Sequence, residues 1–343
     1  MNGSHISRST MPNVSLQVME ESKGTIRTAY QNLAETQYPE FQESCTAIYN
    51  RVNDTFNTTN NTIIEIKAFL DTTSALEGLN RMIKNKQEEL ETETDPAEIE
   101  NIQNTINRLR EEGDEKLNEN NEAITSKATT LTNESSNIEF FDFKQQVDEE
   151  IQELNDDLVR IDGDIAEYEE KKKKAEEDYE TLNVAMDVYE EYNIFEFFSD
   201  VIPTAEEISN MIDAGDPRLA AAILALEIYK DLFDVVGDGF SYMQMDSARD
   251  YVYNLITEYT RELERLNGEK NQININLNDL SHISTIESER FIFTEQVKNL
   301  SQGYTIYTED IQSLMNTDVN YDNVLIRMGE MFTYLNNLSL NNA

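Results

Sequence analysis

The 343-residue chain carries 68 acidic against 27 basic side chains, a net charge of −41, and 38% hydrophobic residues, below the ~45–50% of ordinary globular domains. Such acidity excludes nucleic acid and anionic membrane surfaces as partners held by charge. One cysteine, Cys45, and two histidines, His5 and His282, exclude a disulfide framework and a Cys/His metal site, and no cofactor or metal is expected.

Scarce glycine and proline (11 and 5) with abundant Glu, Asn, Leu and Ile predict long helices. Residues 1–11 are expected to be flexible and lack the apolar core of a cleavable signal peptide. A first helical region spans 12–58, its apolar residues from Val14 to Phe56 at helical spacing, with "NDTFNTTNNT" (53–62) as an interruption. A second helix is expected over 63–90. "ETDPAE" then makes a turn with Asp95 as N-cap and Pro96 at the first helical position. A third helix over 96–132 leads to "TTLTNESSN" (129–137), which reads as a polar connection.

The strongest pattern follows. Val147, Ile151, Leu154, Leu158, Ile161, Ile165, Tyr168, Lys172, Ala175, Tyr179, Leu182, Met186 and Tyr189 alternate four and three apart. That spacing is the seam of a long coiled-coil helix. Val252, Ile256, Tyr259, Leu263, Leu266, Lys270, Ile273, Leu277 and Leu280 repeat it. Two such helices around a central insertion predict an antiparallel hairpin, symmetric about residue ~218. Lys172 and Lys270 interrupt the seams; they either reach past them to water or meet acids of the opposite helix, Glu264 for the first and Glu167 or Glu169 for the second. The expected class is all-α: an elongated antiparallel helical bundle with a long coiled-coil stalk and a mid-chain apolar helical hairpin as head. The tail comprises 12–139 and 285–343, the stalk 140–191 and 246–284, and the head 192–245.

The head contains an unusual run, "LAAAILALEIYKDLFDVVGDG". Eight apolar residues, Leu219 to Leu226, precede charges at helical spacing. Glu227, Asp231, Asp234 and Asp238 fall on one stripe, while Leu219, Ile223, Leu226, Leu232, Phe233 and Val236 belong to a broad apolar arc. The preceding arm repeats the arrangement, with Asn193, Glu196, Asp200 and Glu207 on one side and Ile194, Phe195, Phe197, Phe198, Val201 and Ile202 on the other. Each arm is expected to span roughly 20 residues, the thickness of a bilayer core. Pro203, Gly215, Pro217, Gly237 and Gly239 are candidate hinges, and Thr204 with Glu207 forms a capping box. In water such arms pack as a compact head. In a ring, every acidic stripe of Glu196, Asp200, Glu227, Asp231 and Asp234 would face a water-filled, cation-preferring lumen, and the apolar residues would face lipid.

This layout resembles the cytolysin-A superfamily of α-helical pore-forming toxins. The charge-striped arms over Tyr192–Phe240 look most like the B component of the alpha-xenorhabdolysin-type binary toxins. The resemblance implies a non-enzymatic polypeptide that is released soluble, changes shape on a target-cell bilayer, self-oligomerises and is helped by an A-type partner subunit. A structural or tethering coiled-coil protein, with the head as permanent core or helix-binding site, remains the alternative. "DGDIAEYEE" and "VVGDGF" cluster carboxylates with glycine, but lack the order of a calcium loop, and no Ser–His or Cys–His pairing supports catalysis.

Overall fold

The computed structural model describes residues 10–33, 38–71, 73–199, 201–233, 240–315 and 321–340. Among these, all regular structure is helical. The chain divides into two compact units, Met1–Glu150 with Asn278–Ala343, and Ile151–Leu277.

The first unit begins with α1 (Leu16–Asn32), N-capped by Ser15, whose hydroxyl accepts from the Val18 amide. α2 (Pro39–Leu70) starts with proline at its first position. The expected single region over 12–58 is therefore two helices, and the expected break at 53–62 is absent. Thr55, Thr59 and Thr62 are buried beside Phe56 and Ile63, so tertiary burial overrides the weak helix propensity of Asn and Thr. α3 (Thr73–Thr92) follows, and α4 (Pro96–Glu139) opens with Asp95 Oδ1 accepting from the Ala97 amide at 2.9 Å. α4 also runs through 129–137, predicted to be a connection. Leu131, Ser135 and Ile138 are fully buried there. The Thr129, Thr130 and Thr132 hydroxyls donate to carbonyls one turn back, which removes their competition with the helix.

Two side chains fix α4 to the later helices of this unit. Arg290, on α9 (Tyr242–Met315), is fully buried. It pairs with Glu287 through Nε–Oε2 at 2.8 Å and Nη2–Oε1 at 2.5 Å, while Nη1 donates to the Ile138 carbonyl at 3.1 Å. That carbonyl is among the last four of α4, which have no intrahelical donor. Tyr321, at the start of α10 (Tyr321–Leu340), lies over Gly113 of α4, its hydroxyl 2.9 Å from the Arg110 carbonyl and 2.8 Å from Asp114 Oδ1. A Cβ on Gly113 would stand 2.6–2.9 Å from the Tyr321 ring and hydroxyl. Cys45 is buried, and burial pushes its thiol up to about 12.

The second unit pairs α5 (Lys144–Glu191), from Ile151 onward, with the first part of α9. Ile161, Ala175, Val252 and Leu266 are buried in the seam and most other seam positions are half-buried, as two helices without further cover require. Lys270 meets Asp162 at 2.5 Å, and Tyr168–Tyr259 and Tyr179–Tyr253 face each other at 5.9 and 5.7 Å. The Asp162–Lys270 and Tyr179–Tyr253 pairs centre on residue 216 rather than 218. Lys270 therefore reaches Asp162 instead of Glu167 or Glu169. Lys172 lies 3.8 Å from Glu176 on its own helix and not against Glu264.

Gly113→Ala is expected to lower unfolding free energy by about 1–2 kcal/mol, the cost of displacing a buried ring exceeding the helix-propensity gain. Gly163→Ala in α5, where an added Cβ meets nothing within 4 Å, should raise it by about 0.5–1 kcal/mol. Urea denaturation of both variants measures the contrast. Lys172→Leu/Lys270→Leu should raise the melting temperature, since exposed ion pairs contribute only about 0–1 kcal/mol each and the replacements extend the apolar seam; differential scanning calorimetry reads the shift.

Candidate functional site

The head lies wholly within the second unit. α5 stops at Glu191 because Asn193 takes the left-handed conformation, φ 53° and ψ 31°; among the described residues it is the one non-glycine with positive φ. A single turn, α6 (Ile194–Phe197), is followed by non-helical chain at 198–199 and 201–203. The predicted capping box then starts α7 (Ala205–Met211): Thr204 Oγ1 accepts from the Glu207 amide at 3.2 Å, and Glu207 Oε2 accepts from the Thr204 amide at 2.7 Å. These hydrogen bonds lower the Glu207 pKa. The first arm is thus two short helices, separated at Pro203 as a proline inside a helical pattern predicts, and the expectation that the arm is helical from its start fails at Asn193.

Asp216 caps the turn that opens the second arm. Its Oδ1 accepts from the Arg218 amide at 2.8 Å and from Arg218 Nε at 3.0 Å, and α8 (Leu219–Phe233) begins after Arg218. Arg218 Nη2 bridges Asp216 Oδ2 and Glu191 Oε2, each at 2.7 Å, so the start of α8 is tied to the end of α5. The Arg218 guanidinium holds the Asp216 carboxyl at about 2. Sequence reasoning missed Arg218; its position two residues after the capping Asp216 was the available signal. At 1.5 Å per residue the 15 residues of α8 extend about 22 Å, short of a ~30 Å bilayer core. No helix among the described residues is long and apolar enough to cross a membrane.

Tyr189 is the centre of the head core. Fully buried, it donates its hydroxyl to the Ala222 carbonyl in α8. Its ring meets Phe195 and Phe240 edge-on at 5.5 and 5.4 Å, and Tyr229 approaches Phe240 at 5.7 Å. Burial pushes the Tyr189 phenol pKa upward. Around it pack Met186, Ile208, Ala225 and Met245. Lys230 Nζ donates to the Pro203 carbonyl at 3.3 Å, fastening the broken first arm to α8.

The predicted apolar set divides in two. Ile194 and Leu226 are buried; Phe195, Phe198, Ile202, Leu219, Ile223 and Leu232 pack partly buried on the core. Phe197 and Val201 stand out at 73% and 60% exposure, joined by Leu224, Tyr242 and Met243, which the prediction omitted. The Phe195–Tyr242 ring contact at 5.8 Å sets α6 beside the start of α9. Among the acids, Glu196, Glu227 and Asp231 are exposed. Among the hinges, Pro203 is buried and Gly215 and Pro217 are exposed in the turn before α8. Asp200, Asp234, Val236, Gly237 and Gly239 lie outside the described residues, as does the side chain of Phe233. No cluster of three or more His, Cys, Asp or Glu suited to a metal occurs among the described residues.

One acid in this region carries a stability cost. The Asp178 pKa is raised, first by burial and then by Glu177 and by Asp231 of α8, with Lys174 opposing. A raised carboxylate pKa favours the protonated folded form. Its contribution is therefore present below the ordinary carboxylate range and lost as pH rises through the folded value. Asp178→Asn should raise the melting temperature at pH 7, and the advantage should vanish as pH falls toward about 4; thermal melts across that range measure it.

No protein-family model matches the chain, and no curated protein matches it in sequence. Solved structures do. PaxB from Photorhabdus luminescens superposes with a TM-score of 0.82 at 14% identity, covering 97% of this chain and 98% of that one. XaxB from Xenorhabdus nematophila gives 0.75 at 19%, covering 96% and 99%. A chain of the XaxAB pore complex from the same organism gives 0.71 at 17%, covering 96% and 98%. Over nearly its whole length, the chain has the fold of these proteins.

Proposed function

We propose that the chain is one component of a multi-subunit α-helical pore-forming cytotoxin. The observation that carries this reading is the end-to-end likeness to XaxB and to a chain of a structure described as a pore complex. It agrees with the resemblance to the B components of alpha-xenorhabdolysin-type toxins drawn from the sequence. The protein is secreted, meets a target-cell bilayer, and assembles with itself and with an A-type second component. No catalytic step is involved.

The head supplies the chemistry of insertion. Phe197, Val201, Leu224 and Met243 present apolar surface to solvent while Ile194, Leu226 and their neighbours stay packed. First contact uses the exposed group; insertion then exchanges the packing of the buried group for lipid. The acids cannot follow, because a carboxylate at mid-bilayer costs about 2.5–3.5 kcal/mol on insertion scales. Glu196, Glu227 and Asp231, with Asp200 and Asp234, are assigned to the water-filled lumen. Residues 192–245 are assigned as the inserting segment.

Phe197→Asp/Met243→Asp should leave the melting temperature within about 1–2 °C of wild type, as both sites are exposed surface, yet abolish flotation with phosphatidylcholine vesicles. Unchanged flotation would remove the assigned contact surface. In planar bilayers with the second component present, Glu227→Gln/Asp231→Asn should reduce cation-over-anion permeability several-fold, read from the reversal potential in a salt gradient.

A further inference from the structure

We infer that Asn193 is the hinge on which the head opens, held shut by the Glu191–Arg218–Asp216 brace beside it; this deepens the proposed pore-forming role and rests on it. The left-handed Asn193 ends α5, and the turn directs Ile194 and Phe195 into the head core. Asparagine enters that conformation more readily than other non-glycine residues, and it does so as single residues, at a cost. Strain of this kind persists only where surrounding contacts hold it.

Those contacts are present. Arg218 joins Glu191, the last residue of α5, to Asp216, and the Tyr192 hydroxyl lies 3.4 Å from Asp216 Oδ2. The end of α5, just before the hinge, is therefore tied to the turn before α8 at two points, while Ile194 and Phe195 just after it are held by the head core. Asn193 itself is exposed and contributes no side chain to the core.

The heptad phase shows what straightening would do. The seam Leu182, Met186, Tyr189 continues by its own four–three alternation to 193, 196 and 200, which are Asn193, Glu196 and Asp200. If Asn193 becomes right-handed, α5 runs on through α6, and the acids extend the line of the seam. Ile194 and Phe195 then leave the Tyr189–Phe240 cluster and point away from that line. One residue's change of conformation converts the first arm from a broken, core-packed segment into an amphipathic helix with acids on one side.

Maleimide labelling of an Ile194→Cys variant of the full chain tests this, with each labelled position identified by peptide mass. Residue 194 is fully buried with the head closed, and buried Cys45 in the other unit reports global unfolding. Adding Asn193→Ala, which penalises the left-handed state, should speed labelling at 194 about tenfold. Arg218→Gln should also speed it, while Asn193→Gly, which favours the closed turn, should slow it several-fold; labelling at Cys45 should not change. Equal rates for the alanine and glycine variants, or the reverse order, would overturn the hinge. Should Asn193→Ala unfold the head, the glycine variant against wild type decides alone: slower labelling supports the hinge and an equal or faster rate overturns it. In parallel, calcein release from phosphatidylcholine vesicles is measured with the second component present. Absent release with the predicted labelling order would refute the pore-forming reading and leave the hinge standing.

Discussion

A buried phenol hydroxyl is costly unless it finds an acceptor, and that requirement at Tyr189 organises the head. Its partner is a main-chain carbonyl of α8, so the second arm is held at one position along α5 by a hydrogen bond that no change of side chain on α8 can remove. The ring then serves two further elements, Phe195 from the first arm and Phe240 from the segment entering α9. Four pieces of chain converge on one residue of the coiled-coil seam. A chain with so little apolar content cannot hold such a cluster by bulk hydrophobicity alone; it concentrates aromatic contacts where the two seams end.

Outside the head, the same scarcity of apolar residues is met by thinness. Most seam positions of α5 and α9 in the second unit are only half-buried, and the pairing there is set by tyrosine contacts and one Lys–Asp pair rather than by a wide core. In the other unit, burial is deeper, and the buried Arg290 is matched by Glu287 and the Ile138 carbonyl.

Much of this was legible in the sequence because the relevant signals are local or periodic. The four–three alternation fixes the two long helices. Asp95–Pro96 and Thr204–Glu207 fix helix starts through hydrogen bonds spanning three residues or fewer. What failed depended on contacts distant in sequence. The Asn/Thr-rich stretches at 53–62 and 129–137 look like connections, yet they are helical because Thr59, Ser135 and Ile138 are buried by other helices. The break at Asn193 was invisible because asparagine fits a helix surface as well as a left-handed turn. The hairpin's centre lies two residues earlier than expected, which shifts the pairing by four residues and gives Lys270 a different acid. Which members of the head's apolar arc face solvent depends on the break at Asn193.

Between residues 192 and 245 the chain has two basic side chains, Arg218 and Lys230. Both are spent inside the head, one on Glu191 and Asp216, the other on the Pro203 carbonyl. The surface proposed to meet a bilayer would consequently be blind to lipid charge except as repulsion. Long-range attraction, which accelerates the capture of anionic surfaces by basic proteins, is not available to it. Adsorption must proceed by random collision and short-range apolar contact, hardly altered by added salt on neutral lipid and suppressed on anionic lipid. Selection among membranes then falls to whatever delivers the head to the surface, not to the head itself.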